Sequence, residues 1–293
     1  MDSIERSGPS STANLMAALV PLSRFGLSPE QAAVVGFGRF PVAGEASYVH
    51  DWWYPRFGPG WRLHQGTDIF AARGTPVRAP AEGTVRITSG GLGGLAVYVT
   101  EADRTYYYLA HLAGIAPGLA DGATVATGQV VGYVGDSGNA RGGSPHVHFE
   151  IHPGGGAAVD PKAVLDQYLT DAQAAAPRVL AAYAAAEPDP GADGATGGPT
   201  APVLPEPADV DIRAVVSASE NLRSTMLWAA TANPSAGALQ LAQSEALRAA
   251  GQVDWDHQRV LQQASRRARG EADRRVEVWL SPLVPPALVS AIR

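Results

Sequence analysis

The chain has 293 residues, 45% of them hydrophobic, with a formal net charge of -6. That length and composition allow one large domain or two ordinary ones with a proper core. The acidic balance, with no basic run before Arg266 and Arg267, argues against a nucleic-acid footprint. No cysteine occurs, which removes disulfides, thiolate metal sites and a cysteine nucleophile.

In chain order, Ala13 to Leu22 is apolar but follows Asp2, Glu5 and Arg6, which makes a poor signal peptide. Residues 12–35 read instead as one or two short helices. Ser28-Pro29-Glu30-Gln31 marks a start, with Ser at the cap and Pro at the first helical position. From Phe40 to Val164 the chain is rich in Gly and β-formers. Thr84–Thr88, Leu95–Thr100, Thr105–Leu112, Val130–Val134 and His146–His152 read as strands. Their spacing suggests a compact antiparallel β domain.

Residues 171–186 are Ala-rich and suit a helix. Residues 187–208 carry six prolines interleaved with glycines and read as an extended linker. Residues 209–293 regain helical character, with Val253 to Arg269 a candidate helix and Leu239, Ala242, Ala246, Leu247 and Ala250 an apolar stripe. The expected organisation is an N-terminal helical segment (1–39), a β domain (40–168), a linker (169–208) and a helical C-terminal region (209–293). That last region is a candidate surface for a protein partner. No run reaches the ~20 apolar residues of a membrane span.

Six of the seven histidines lie between residues 50 and 152. His146 and His148 stand two apart on a predicted strand, so both imidazoles face one side. Such a pair suits a divalent metal, most often zinc. Upstream, His64-Gln65-Gly66-Thr67-Asp68 offers a second imidazole and a carboxylate. Two histidines and one carboxylate leave a tetrahedral zinc one open position for water, the mark of a hydrolytic site. No His-Glu-x-x-His motif supplies a base. Surplus histidines, which titrate near neutral pH, are left for that task. His111, in Tyr106-Tyr107-Tyr108-Leu109-Ala110-His111, is one of them.

These motifs resemble the lysostaphin/LytM-type zinc endopeptidases, which cut peptides in bacterial peptidoglycan. The resemblance runs from about Phe40 to Pro161. It takes in Phe40-Pro41-Val42-Ala43-Gly44, His64-Gln65-Gly66-Thr67-Asp68, Gly74-Thr75-Pro76-Val77, Tyr108-Leu109-Ala110-His111-Leu112, Gly128-Gln129-Val130-Val131-Gly132 and Pro145-His146-Val147-His148-Phe149-Glu150. It implies a mainly β, antiparallel peptidase domain of the duplicated hybrid-motif type. It implies Zn2+ as cofactor, with His64, Asp68 and His148 as ligands and His111 and His146 as catalytic groups. The His-x-His pair, read alone as a two-imidazole clamp, is thereby divided into one ligand and one catalytic residue. Glu150 shares that strand face and either orients a histidine or ends the strand in solvent.

His50 and His152 match no catalytic position and are expected at the surface. Asp51 to Arg56 falls on a loop near the cleft, where its aromatics either line a groove or pack on the sheet. Gly138 to Pro145 is expected as a rim. The implied substrate is peptidoglycan peptides, placing the protein outside the cytoplasm (cell wall, periplasm or secreted) although no clear signal peptide is present. Two other readings stand beside it. One is a non-catalytic scaffold of the same fold that binds peptidoglycan or regulates another hydrolase. The other is a carrier-type hybrid barrel, which would need an exposed Lys at a hairpin tip, whereas the matched region has none before Lys162.

Overall fold

Period-2 alternation of apolar and polar residues puts one face of each strand into a core and leaves the other for chemistry. The computed structural model describes residues 10–52, 55–56, 62–186 and 202–217. In chain order the strands are β1 (Ser10–Ser11), β2 (Ala46–Tyr48), β3 (Pro55–Arg56), β4 (Arg62–Leu63), β5 (Thr67–Ala71), β6 (Pro76–Arg78) and β7 (Gly83–Thr88). There follow β8 (Ala96–Thr100), β9 (Tyr106–Ala110), β10 (Gly114–Ile115), β11 (Thr124–Val125), β12 (Val130–Tyr133) and β13 (His146–His152). The helices are α1 (Ala13–Leu19), α2 (Pro29–Gly36) and α3 (Lys162–Ala186), with a 3-10 turn at Val20–Phe25.

The main sheet has the order β1-β2-β5-β13-β9-β8-β7-β11, and its pairings are antiparallel. A smaller sheet, β10-β12-β6, lies beside it. The domain is therefore mainly β, as its strand pattern predicts. Val97, Val99, Tyr107, Leu109, Val147, Phe149 and Ile151 alternate along β8, β9 and β13 and are all buried. Tyr107 stacks on Phe149, ring centroids 6.1 Å apart. The residues between them along the strands point to the opposite, partly exposed face.

The predicted Ser28 start is present in full. Ser28 Oγ accepts from the Gln31 N–H at 3.2 Å, and Gln31 Oε1 accepts from the Ser28 N–H at 2.8 Å. This reciprocal box satisfies two of the donors that a helix start leaves open. α1 and α2 pack against α3. α3 runs without interruption through residue 168, because its Leu165, Tyr168, Leu169, Ala172, Ala176 and Val179 keep one stripe buried. Its first turns are tied to β1 and β2: Ser10 and Tyr48 hydroxyls donate to Asp166 at 2.9 and 2.8 Å, and Lys162 Nζ donates to Ser10 at 3.0 Å.

The chain divides into two units, residues 1–212 and 213–293. The expected Val253–Arg269 helix, the Leu239–Ala250 stripe and the partner surface assigned to them lie outside the described residues. So do Trp53 and Tyr54. None of the described helices is long and apolar enough to cross a membrane.

Ser28→Ala removes one half of the capping box and should lower unfolding free energy by about 1 kcal/mol. The expected readout is a lower urea midpoint at unchanged m-value.

Candidate metal centre

Strand pairing assembles the site. β13 lies between β5 and β9, with His148 opposite Asp68 on one side and Ala110 on the other. Cross-strand partners share a face, so the His148 imidazole and the Asp68 carboxylate meet. His64 sits in the turn just before β5. The turn needs glycine at position 66: a Cβ there would lie 2.5 Å from the Phe149 carbonyl oxygen and 2.8 Å from the His148 ring.

Three atoms converge. His64 Nε2 is 3.1 Å from Asp68 Oδ1 and 2.8 Å from His148 Nδ1, which is itself 3.1 Å from the same Asp68 oxygen. The far nitrogen of each ring faces an acceptor. His64 Nδ1–H donates to the Asp51 carbonyl oxygen at 3.0 Å, and His148 Nε2–H donates to Glu150 Oε1 at 2.8 Å. Those partners place the protons outward and turn two imidazole lone pairs and a carboxylate oxygen toward one point. Such a donor set fits a borderline-soft divalent cation, zinc foremost, with partners that orient each ligand. His64, Asp68 and His148 are the one such group among the described residues.

Two more histidines flank the group. His146 precedes His148 by two residues on the same strand face, and its Nε2 is 3.9 Å from Asp68 Oδ1. Its Nδ1–H donates to the Ser144 carbonyl at 2.8 Å. His111 follows β9, and its ring centroid is 4.8 Å from that of His146. Continued as a strand, residue 111 would point into the core with Leu109. Instead it takes φ +63°, which ends β9 before the predicted Leu112 and re-aims the ring to the site face. That conformation costs a non-glycine residue roughly 1–2 kcal/mol. It is held by His111 N–H to Gly93 O at 2.9 Å and by His111 Nδ1–H to Ser137 O at 2.9 Å. Both flanking rings thus point Nε2 toward the centre.

The electrostatics are strongly polarised. Burial pushes the His111 imidazole down, and the neighbouring His146 and His148 push it further, to about 4, so it is neutral at pH 7. Burial also opposes charge on His64, but Asp68 and Asp51 outweigh it and raise its pKa to about 10. Burial opposes ionisation of Asp68 as well. The positive charge of His64 and His146 and hydrogen bonds from His148 and His64 prevail and hold it well below the usual carboxylate range.

Asp51, in the loop before β3, and Arg56, the last residue of β3, also reach the centre. Arg56 Nη2 donates to Asp68 Oδ2 at 2.7 Å and to Asp51 Oδ2 at 3.2 Å. It thereby occupies the Asp68 oxygen that faces away from the histidines. The same Nη2 lies 2.9 Å from His64 Nδ1, a donor against a donor in the tautomer above; the two carboxylates hold it there. Asp51 is buried, and its Oδ1 has no partner among the described atoms. Neither contact was legible in the sequence, because both span a loop without periodicity. Glu150 is resolved in favour of orientation: it bridges His148 and His152, accepting from His152 Nε2–H at 2.9 Å. His152 is therefore not the surface residue expected from its place at the strand end. It is buried and stacked on Tyr106, centroids 4.2 Å apart. His50, partly exposed, pairs with the buried Asp160 at 2.7 Å. The Gly138–Pro145 rim begins beside the Ser137 carbonyl that holds His111.

With metal chelated, the signs of these shifts set the stability profile. His64 is raised above 6.5, so its contribution is complete below that value and is lost as pH rises through about 10. Asp68 is lowered, so its contribution is present above 3.8 and is lost as pH falls below it. The urea midpoint of chelated protein should therefore decline between pH 7 and 10, and His64→Ala should flatten that decline.

Residues 62–161 match Peptidase family M23. The chain is 37% identical over 122 residues to an L-Ala–D-Glu endopeptidase of Bacillus subtilis, covering 40% of this chain and 37% of that one. It is 40% identical over 97 residues to the DD-carboxypeptidase/endopeptidase Mpg of Neisseria meningitidis, covering 32% of this chain and 21% of that one. The chain thus spans less than half the length of these relatives. Among solved structures it is similar to the catalytic domain of the antimicrobial peptidase lysostaphin from Staphylococcus simulans. The identity is 27% and the TM-score 0.35, over 41% of this chain and 91% of that one. Residues 62–161 are a Peptidase family M23 domain.

Proposed function

We propose that this domain is a zinc-dependent endopeptidase that hydrolyses peptide bonds of bacterial peptidoglycan, with His64, Asp68 and His148 holding the metal. The observation that carries this reading is the convergence of three lone-pair atoms within 3.1 Å of one another, each ring oriented from behind by an acceptor. Bound there, zinc would supply Lewis acidity, polarising the scissile carbonyl and acidifying a water.

The proton work falls to His111 and His146. Each spends Nδ1–H on a backbone carbonyl and keeps Nε2 for the cleft. His111, neutral down to about pH 4, is the acceptor for the proton released as water attacks, and it returns that proton to the leaving amine. His146, beside the Asp68 carboxylate, holds the developing oxyanion once protonated. Asp51 and Glu150 orient the two ligand rings, and Arg56 keeps one Asp68 oxygen engaged so that the other points inward. The similarity to an L-Ala–D-Glu endopeptidase and to a DD-carboxypeptidase/endopeptidase supports the substrate class. A wall substrate places the enzyme's work outside the cytoplasm.

Chelation should abolish release of peptides from purified cell walls, and added zinc should restore it. His148→Ala should lose both bound zinc and activity; normal zinc stoichiometry in that variant would refute its assignment as a ligand. His146→Ala should retain zinc while activity falls about 100-fold or more. Mass analysis of the released muropeptides identifies the bond cut. Zinc binding without any peptide release would instead support a non-catalytic wall-binding scaffold.

A further inference from the structure

The face of the main sheet that bears the metal group continues well past it. Strand register puts Arg86 opposite Tyr98, Tyr98 opposite Tyr108, and Tyr108 opposite Glu150. These four residues form one row across β7, β8, β9 and β13. The adjacent row contains Ala96, Ala110, His148 and Asp68. The two alanines are fully buried between the tyrosines and the loop at Gly93. That loop lies close: a Cβ on Gly93 would be 1.9 Å from Tyr108 Oη and 3.4 Å from the Ala110 Cβ. The Arg86 guanidinium carbon sits 3.7 Å from the Tyr98 ring centroid, and the Tyr98 and Tyr108 rings are 4.6 Å apart.

The charges along the row are unequal. Glu150 is already matched by His148 and His152. Arg86 is exposed, and no carboxylate among the described residues pairs with it. Stacking on tyrosine orients the guanidinium and leaves its N–H edges for an anion. We propose that this row is a binding subsite for an acidic peptide, with Arg86 receiving a carboxylate of the peptide and Tyr98 and Tyr108 its floor. The proposal rests on the peptidase reading, since it is the metal group that makes this face a cleft floor.

Geometry sets where that carboxylate lies. β7 is three strand spacings from β13, about 14 Å at ~4.8 Å each. An extended peptide covers that distance in about four residues. The arginine thus reads an acid three or four residues from the scissile bond.

The test uses the zinc-loaded full chain. Its probe is a fluorescein-labelled tetrapeptide, L-Ala-γ-D-Glu-L-Lys-D-Ala, in free-acid form and with its carboxylates converted to carboxamides. Anisotropy immediately after mixing reads affinity, and mass spectrometry reads cleavage. The expected result is about fivefold tighter binding of the acid form, the range of an exposed ion pair. Arg86→Ala should bring the ratio close to one, and Arg86→Lys should keep part of it. No preference in the wild type, no binding, or an unchanged ratio in Arg86→Ala would overturn the subsite. An Arg86-dependent preference would sustain the subsite whether or not this tetrapeptide is cleaved, and the peptidase reading would fall only if no peptide is released from purified cell walls either; cleavage or wall-peptide release with no dependence of binding on Arg86 would keep the peptidase reading and overturn the subsite.

Discussion

The placement of β13 between β5 and β9 is the constraint on which the rest of the site depends. That pairing sets His148 against Asp68 and carries His146 and Glu150 to either side of it on the same face. Because side chains alternate along a strand, a slip of one residue would send all three inward and bring Val147 and Phe149 out. The slip is prevented from the other side of the sheet. Val147, Phe149 and Ile151 are fully buried, so the register that satisfies the core is also the one that builds the metal group.

Burial and charge work against each other throughout the centre. His64 and Asp51 are both buried, and Asp68 is nearly so. Such groups are tolerated only when paired. Here the pairing forms a continuous chain of contacts from Asp51 through Arg56 and His64 to Asp68, then from His148 through Glu150 to His152. A cation at the convergence point would replace the proton that the metal-free site needs between its two lone-pair nitrogens. The same network orients His64, Asp68 and His148 from outside, which leaves the inward atoms little freedom to turn away.

Much of this was legible in the chain. His-x-His on a strand implies one face, and the aromatic and β-branched runs at 84–88, 95–100, 105–112, 130–134 and 146–152 imply the strands. All five gave strands within one or two residues of their expected ends. The shortfall at residues 111 and 112 has a local cause, the left-handed φ of His111, which periodicity cannot register. Ser28-Pro29 and its capping glutamine were readable because capping depends on neighbours three residues apart. Arg56, Asp51 and the His152–Glu150 bridge were not, because each depends on which loop or strand end folds over which.

By itself the sequence determined the residue types and the alternation that put His146 and His148 on one strand face, since both follow from local geometry. Its motifs, through resemblance, imply a division of the His-x-His pair into a ligand and a proton carrier. Only the tertiary structure decided which atoms converge, how His111 is turned into the cleft against its strand direction, and that a row of tyrosines leads from the centre to Arg86. Those features depend on strand order and register, which bring residues 64, 68, 111 and 148 together from distant parts of the chain. No local preference encodes that; it is settled by the one packing that buries the opposite face.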